Sequence, residues 1–126
     1  MAIQTVNIGG QVTVVNNSLR SVIGLSDNFT TTGSNSITNN ANISTGSWQV
    51  LDQGSNTSLK YMFATNLDAT SSCYIAINSA GTSSYSAYLG PGDVAIIPNN
   101  GTSVVLYAKA TGSHNPIILQ YLAVEA

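Results

Sequence analysis

The sequence predicts an all-β protein: a single-domain antiparallel β-sandwich, jelly-roll-like, with eight to ten short strands. Three observations predict this fold class. Apolar and polar residues alternate with a period of two along much of the chain. β-branched and aromatic residues dominate the alternating runs, and short clusters of Gly, Asn, Ser and Pro separate them. No stretch of 12 residues follows a clean 3.6-residue period, so no helix is expected.

The expected strands follow one another at short intervals. In chain order they are residues 3–8, 11–15, 47–51, 59–64, 73–77, 84–89, 93–97, 102–108 and 117–124. The run at 59–64 shows the pattern, because Leu59, Tyr61 and Phe63 alternate with Lys60 and Met62. Alternate residues of a strand point to opposite faces, so each run can cover a core on one side only. With 126 residues we expect one domain, residues 1–126.

Three Gly-containing segments are expected to be turns. Residues 98–101 read Pro-Asn-Asn-Gly between two apolar runs, which favours a tight hairpin. Residues 90–93 read Gly-Pro-Gly-Asp and fit a type II turn, with Gly92 at the position of positive φ and Asp93 hydrogen-bonded to the turn. Gly9 and Gly10 stand before a strand and are interpreted as a hairpin turn. Residues 27–46 have few apolar anchors, so they form either a long loop or weak edge strands.

Charge is scarce in this chain, and its scarcity excludes several functions. Charged residues make up 6%, against roughly 25% in an ordinary domain, whereas 44 of the 126 residues are Ser, Thr or Asn. Three cations cannot neutralise many phosphates, so no nucleic-acid partner is expected. No apolar run approaches the ~20 residues of a membrane span. The first residues do not resemble a signal peptide, so we expect synthesis in a cytoplasm.

Few residues could carry chemistry, and we expect no enzyme and no cofactor. His114 is the sole His and Cys73 the sole Cys, too few for a transition-metal site. We interpret His114 as a solvated loop residue; Ser113 beside it does not by itself supply catalytic geometry. Cys73 alternates with Tyr74 in a strand and is expected to pack as a small apolar side chain. No catalytic, cofactor-binding or metal-ligating residues are therefore predicted.

The aromatic residues allow two interpretations. Trp48 and exposed Tyr residues could line a carbohydrate site, with flat rings against the C–H faces of a sugar. In the interpretation that we favour at this point, the rings pack in the sandwich core or at a subunit interface with their hydroxyls at the rim. The tyrosines expected to do so are Tyr61, Tyr74, Tyr107 and Tyr121.

Residues 89–98 (LGPGDVAIIP) resemble an L-x-P-G-D-x-x-x-x-P stretch that occurs in two settings. One is the cupin-type jelly roll, whose second motif spaces Gly and Pro as Gly92 and Pro98 are spaced here. The next Gly is displaced to Gly101, no His follows in register, and the H-x-H motif is missing. A cupin strand and turn are thus implied without the cupin metal site.

The other setting is the small β-rich virion proteins of tailed bacteriophages. Residues 106–110 (LYAKA) and 119–122 (LQYL) resemble strands that follow the P-G-D turn in those proteins, and the similarity covers about the last third of the chain. The resemblance implies a non-enzymatic structural protein, a capsid decoration or cement protein located in the virion. Its implied partners are the major capsid protein or other virion subunits.

The scarcity of charge agrees with a protein that adheres to its neighbours. Natural β proteins guard sheet edges with charge, especially Lys, and three basic residues cannot do this along many strands. A net charge of −2 repels further copies only weakly. We therefore expect a homo-oligomer, with a trimer as the first expectation because many cement proteins sit at threefold positions. The alternatives are a glycan-binding module of the lectin or tail-fibre kind and a degenerate enzyme or metal-free cupin relative.

Overall fold

The structure is a computed structural model that describes residues 4–16, 19–31, 36–78, 85–101 and 103–125. These residues form ten β-strands, every strand pair is antiparallel, and none of them is helical. The all-β prediction and the predicted strand number are confirmed. The chain forms two compact units, Met1–Ser34 and Asn35–Ala126. That residues 1–126 act as one domain stays a prediction.

The first unit is a two-stranded ribbon of β1 (Gln4–Asn16) and β2 (Leu19–Thr31). The predicted turn at Gly9 and Gly10 is wrong, because both lie inside β1 and pair with Ser26 and Leu25. The reason is visible in the alternation. Val6 and Ile8 before the glycines and Val12 and Val14 after them have the same parity, so one uninterrupted strand holds these four on one face.

The second unit contains eight strands in two four-stranded sheets. They are β3 (Ser36–Ile43), β4 (Gln49–Val50), β5 (Leu59–Asn66), β6 (Ser72–Ile77), β7 (Ala87–Leu89), β8 (Val94–Gly101), β9 (Leu106–Thr111) and β10 (Ile117–Val124). The orders are β3-β10-β5-β8 and β4-β9-β6-β7. β3 pairs with β10, β4 with β9, β5 with β8 and β6 with β7, as in one long hairpin rolled across two sheets. This is the strand order of a jelly roll.

The two sheets enclose one apolar core. Along β10 the burial alternates from Ile117 through Leu119 and Tyr121 to Ala123, all of which are buried. β9 has the same period and buries Leu106, Ala108 and Ala110. Cys73 is fully buried in β6, which confirms that it packs as a small apolar residue. The whole core cluster lies within the second unit.

Two predicted turns have different outcomes. At residues 90–93 the backbone N–H of Asp93 donates to the carbonyl of Gly90 at 3.1 Å, and Gly92 has φ 76°. The Asp93 carboxylate accepts a hydrogen bond from the Gly90 N–H at 2.8 Å, so this prediction is confirmed. The hairpin at residues 98–101 is wrong, because β8 continues to Gly101, which pairs with Leu59. Pairing with β5 decides against a local turn there.

The segment 27–46 is not a long loop. Residues 27–31 belong to β2, and β3 occupies Ser36–Ile43 as an edge strand beside β10. The alternative expectation of edge strands is therefore confirmed, while residues 32–35 lie outside the described residues. β3 holds its place because Ile43 is fully buried and Ile37 packs against the core.

Candidate functional site

A buried carboxylate organises the connection between β5 and β6. The Asp68 side chain is 4% exposed, and its Oδ2 accepts hydrogen bonds from the Thr70 N–H at 2.9 Å and the Ser71 N–H at 2.6 Å. Its Oδ1 contacts Nδ1 of His114, which lies in the β9–β10 connection. The backbone N–H donated by Thr70 is the largest cause that holds the pKa of Asp68 at about 2, below the usual 3.8. The Ser71 N–H and His114 act in the same direction against desolvation, which raises the pKa.

His114 is exposed as predicted, but its acidic partner was not anticipated. The ring is 62% exposed, while the His114 backbone N–H donates to Ser71 Oγ at 2.8 Å. Asp68 orients the ring by accepting at Nδ1, so Nε2 is left for solvent. The pair borders a cavity of about 800 Å³. Other lining residues are Asn42, Leu67, Thr70 and Pro116.

This corner holds an acid and a base, and two of the hydroxyls beside it already have partners. A nucleophilic mechanism needs a hydroxyl or thiol in hydrogen-bonding reach of the imidazole. The hydroxyls of Thr70 and Ser71 are instead engaged with the Asp68 carboxylate and the His114 backbone. The described residues also contain no group of three His, Cys, Asp or Glu side chains that could hold a metal ion. Burial raises the pKa of the Cys73 thiol to about 12, which keeps it protonated.

Four aromatic rings cluster on the outer side of the sheet β4-β9-β6-β7, and we call them the aromatic cluster. They are Trp48, Tyr74, Tyr85 and Tyr88. The Tyr74 centroid lies 4.5 Å from that of Tyr88, 5.0 Å from Tyr85 and 6.1 Å from Trp48. Tyr85 and Tyr88 are 45% and 48% exposed. Tyr74 points outward because Cys73 and Ile75 on either side of it are buried.

The other tyrosines take different places. Tyr121 is buried in the core, as predicted; its hydroxyl donates to the Asp52 carbonyl at 2.7 Å and accepts from the Asn39 side chain at 3.3 Å. Burial raises its pKa. Tyr61 and Tyr107 are half-buried, and Tyr61 stacks on Phe63 at 5.7 Å. Of the tyrosines assigned to a core or an interface, Tyr74 is the one that meets exposed rings.

The ribbon is apolar on one face, which we call the aliphatic face. Directly paired residues of two strands share a face, so Val12 and Ile23 stand side by side, as do Val14 and Ser21. The apolar members of this face are Val6, Ile8, Val12, Val14, Ile23 and Leu25. Asp27 pairs with Ile8 and is a charged member of the same face. Val12, Val14 and Ile23 are 49%, 59% and 65% exposed. The opposite face is mainly Thr, Asn, Gln and Ser, with Val15 and Val22 among them.

Comparison with known proteins adds no family. No protein-family model, no curated protein and no solved structure matches this chain. Over the ranges that the structure describes, no helix has the length and apolarity needed to cross a bilayer. Within the described residues, the aliphatic face, the aromatic cluster and the Asp68–His114 corner are the candidate sites.

Proposed function

We propose that this protein is a non-enzymatic structural protein of a bacteriophage particle that decorates or cements the capsid through protein–protein contacts. The observation that carries the proposal is the exposed aliphatic face of the ribbon. A two-stranded ribbon is marginally stable alone in water, and stable sheets need further strands or a packing partner. Contiguous exposed apolar surface of this kind marks interaction sites.

The partner proposed for this face is the major capsid protein or another virion subunit. A stable interface buries about 1,600 Å² in total, more than one ribbon face supplies, so neighbouring surfaces must contribute. A lattice offers the same site many times, and avidity then multiplies weak contacts. With 6% charged residues, such an interface buries few unpaired charges. The protein is made in the host cytoplasm, forms a homo-oligomer and ends in the virion.

Paired substitutions on the two ribbon faces test the role of the aliphatic face. Replacing Val12 and Ile23 by Thr removes apolar surface and keeps a β-branched side chain. Val15 and Val22 are 66% and 46% exposed on the opposite face, and the matched control replaces these two residues by Thr. Capsid shells assembled from the major capsid protein encoded beside this chain's gene should bind the control variant as strongly as they bind the wild-type protein. We expect the Val12/Ile23 variant to bind the shells with about tenfold lower affinity, as measured by co-sedimentation.

Three results would count against this function. In one, the wild-type protein does not bind capsid shells at micromolar concentration. In another, the two variants bind the shells equally well. Circular dichroism of each variant confirms that the strands persist. A gene neighbourhood without any virion protein would also refute it.

The aromatic cluster favours a second function, glycan binding. Tyr85 and Tyr88 are about half exposed, and with the partly buried rings of Trp48 and Tyr74 they offer an apolar surface with hydroxyls at its rim. Tyr88→Ala should abolish binding on a glycan array and leave the fold intact, whereas Tyr61→Ala, which removes a ring from the other sheet, should not. An array without any bound glycan would dispose of this function.

A further inference from the structure

The two edges of the ribbon differ in how they are protected. In a two-stranded sheet each strand keeps one edge without a strand neighbour, and this holds for β1 and β2 over the described residues. Natural proteins block such edges with charge, Pro or bulges. β2 carries Arg20 and Asp27, whereas β1 has no charged residue, no Pro and no register shift over Gln4–Asn16. The edge of β1 is therefore open to another strand.

We propose that β1 pairs edge to edge with β1 of a second copy of this chain, antiparallel about a two-fold axis. The product is a four-stranded sheet in the order β2-β1-β1-β2, and the interface is isologous. This inference concerns the protein alone and goes beyond capsid binding. It also specifies a pair of chains where the sequence led us to expect a trimer.

The sequence of β1 is self-complementary in this arrangement. Full overlap of Gln4–Asn16 with itself places Gly10 on the axis, where two hydrogen atoms meet in place of side chains. Val6 then opposes Val14 of the second copy, and Ile8 opposes Val12. Pairs of β-branched residues stabilise antiparallel neighbours. Thirteen opposed residues also supply about a dozen backbone hydrogen bonds.

The same register aligns the aliphatic faces. Opposed residues in an antiparallel sheet share a face, and overlap about Gly10 pairs even-numbered with even-numbered residues. The apolar residues of both copies therefore form one continuous surface across four strands. A slip by one residue would set that surface beside the polar face of the second copy. Full overlap thus maximises the hydrogen bonds and matches the faces at once.

A second copy fits this edge for reasons of charge as well. No like charges meet, because β1 has none, and a net charge of −2 per chain gives little long-range repulsion. The corresponding pairing of β2 about Leu25 would set Asp27 against Ile23 of the second copy and desolvate a carboxylate. The free edge of β1, and not that of β2, is therefore the edge that pairs with a second copy of the chain.

The first test places one charge at the proposed interface. Gln11 is exposed, and across the axis the two Gln11 side chains are diagonal neighbours within about 7–8 Å. Sedimentation velocity should give twice the 13.0 kDa mass of one chain for the wild type. Gln11→Lys should weaken the association constant about three- to fivefold, more at low salt. Mixing Gln11→Lys with Gln11→Glu should restore association.

The matched control is Ser26→Lys, which adds the same charge to the same face on β2. Two Ser26 positions would stand three strand spacings apart, about 14 Å, beyond the screening length at physiological salt. This variant should associate like the wild type. Circular dichroism of both Lys variants checks that the strands are retained.

Cysteine pairs test the register directly. Ile8→Cys and Val12→Cys, each alone, stand far from their own counterparts across the axis, whereas position 8 opposes position 12. An equimolar mixture should therefore form disulfide-linked dimers on mild oxidation, and either variant alone should not. Cys73 is fully buried and does not compete.

Three results would overturn the proposal. These are a monomer at micromolar concentration, a trimer, or a dimer in which neither Gln11→Lys nor the cysteine mixture has the expected effect. The measurements use the free protein. A dimer that does not bind capsid shells would support this inference and refute only the proposed function.

Discussion

At the scale of single residues, a buried amide joins the loops at one end of the jelly roll. The Asn66 side chain is 0% exposed, and its Nδ2 contacts the carbonyls of Ser71, Leu89 and Gly90 at 2.8–3.3 Å. Its Oδ1 accepts from the Asp68 N–H at 3.0 Å. Buried polar groups that lose a partner retain the full cost of their desolvation. One side chain thus joins the β5–β6 connection to the end of β7 and the residue after it, more than 20 positions away in the sequence.

Asn66→Ala is therefore expected to lower the free energy of unfolding by about 3 kcal/mol. The comparison is Asn56→Ala, also buried, where Nδ2 contacts only the Ala123 carbonyl at 3.4 Å and Oδ1 has no partner among the described residues. That variant should lose about 1 kcal/mol. Urea unfolding measures both, and equal losses would show that the Asn66 contacts contribute little.

Asp68 makes stability depend on pH. Its pKa is about 2 in the folded protein, below the ordinary 3.8, so the unfolded chain takes up a proton first as the pH falls. The stabilisation is complete above about pH 4 and is lost as the pH falls through about 2. Asp68→Asn should unfold at lower urea than the wild type at neutral pH, and the gap should close in acid. Asp52→Asn, in the turn before Gly54, should keep the acid-dependent fall because Asp68 is still present. A pH-independent gap would contradict this account.

The elements show what the sequence could predict. Residues 117–124 coincide with β10, because long alternation between buried and exposed positions needs no knowledge of distant partners. The turn at 90–93 was predictable because Gly92 and Asp93 act locally. The turn expected at 98–101 fails because Pro98 and Gly101 pair with Tyr61 and Leu59 of β5, across a register shift. Asp68 and His114 are 46 positions apart, so only the folded loops reveal their contact.

The turn between β7 and β8 provides a test of local backbone conformation. Gly92 has φ +76°, and a Cβ there would meet no atom within 4 Å, so the backbone alone opposes a side chain. Gly92→Ala should cost about 1–2 kcal/mol. Gly46 has equal space and no positive φ, so Gly46→Ala should be neutral or slightly stabilising. Thermal unfolding measures the stability of the two variants. An equal loss of stability in both would show that the positive φ of Gly92 is not the cause.

At the scale of the whole molecule, the scarcity of charge matters most for the first of the two units, because the ribbon exposes its apolar residues. The jelly roll buries its apolar residues between two sheets, whereas the ribbon exposes half or more of the Val14 and Ile23 surface. A chain with 6% charged residues has little electrostatic protection for such a face. Covering this face with protein is the physical remedy. The proposed capsid contact would supply that cover, and pairing of β1 with a second copy would widen the face to four strands.

Removal of residues 1–34 is expected to separate stability from association. Every residue of the core cluster lies between Ile37 and Ala123, so the remaining chain keeps the buried surface that drives its folding. It should unfold cooperatively and keep its near-ultraviolet circular dichroism, because Trp48 and the tyrosines beside it are retained. It should also sediment as a monomer and no longer bind capsid shells, since β1 and the aliphatic face are gone. A truncated chain that still associates would place the contact surface on the jelly roll, and one that fails to fold would show that the ribbon supports the core.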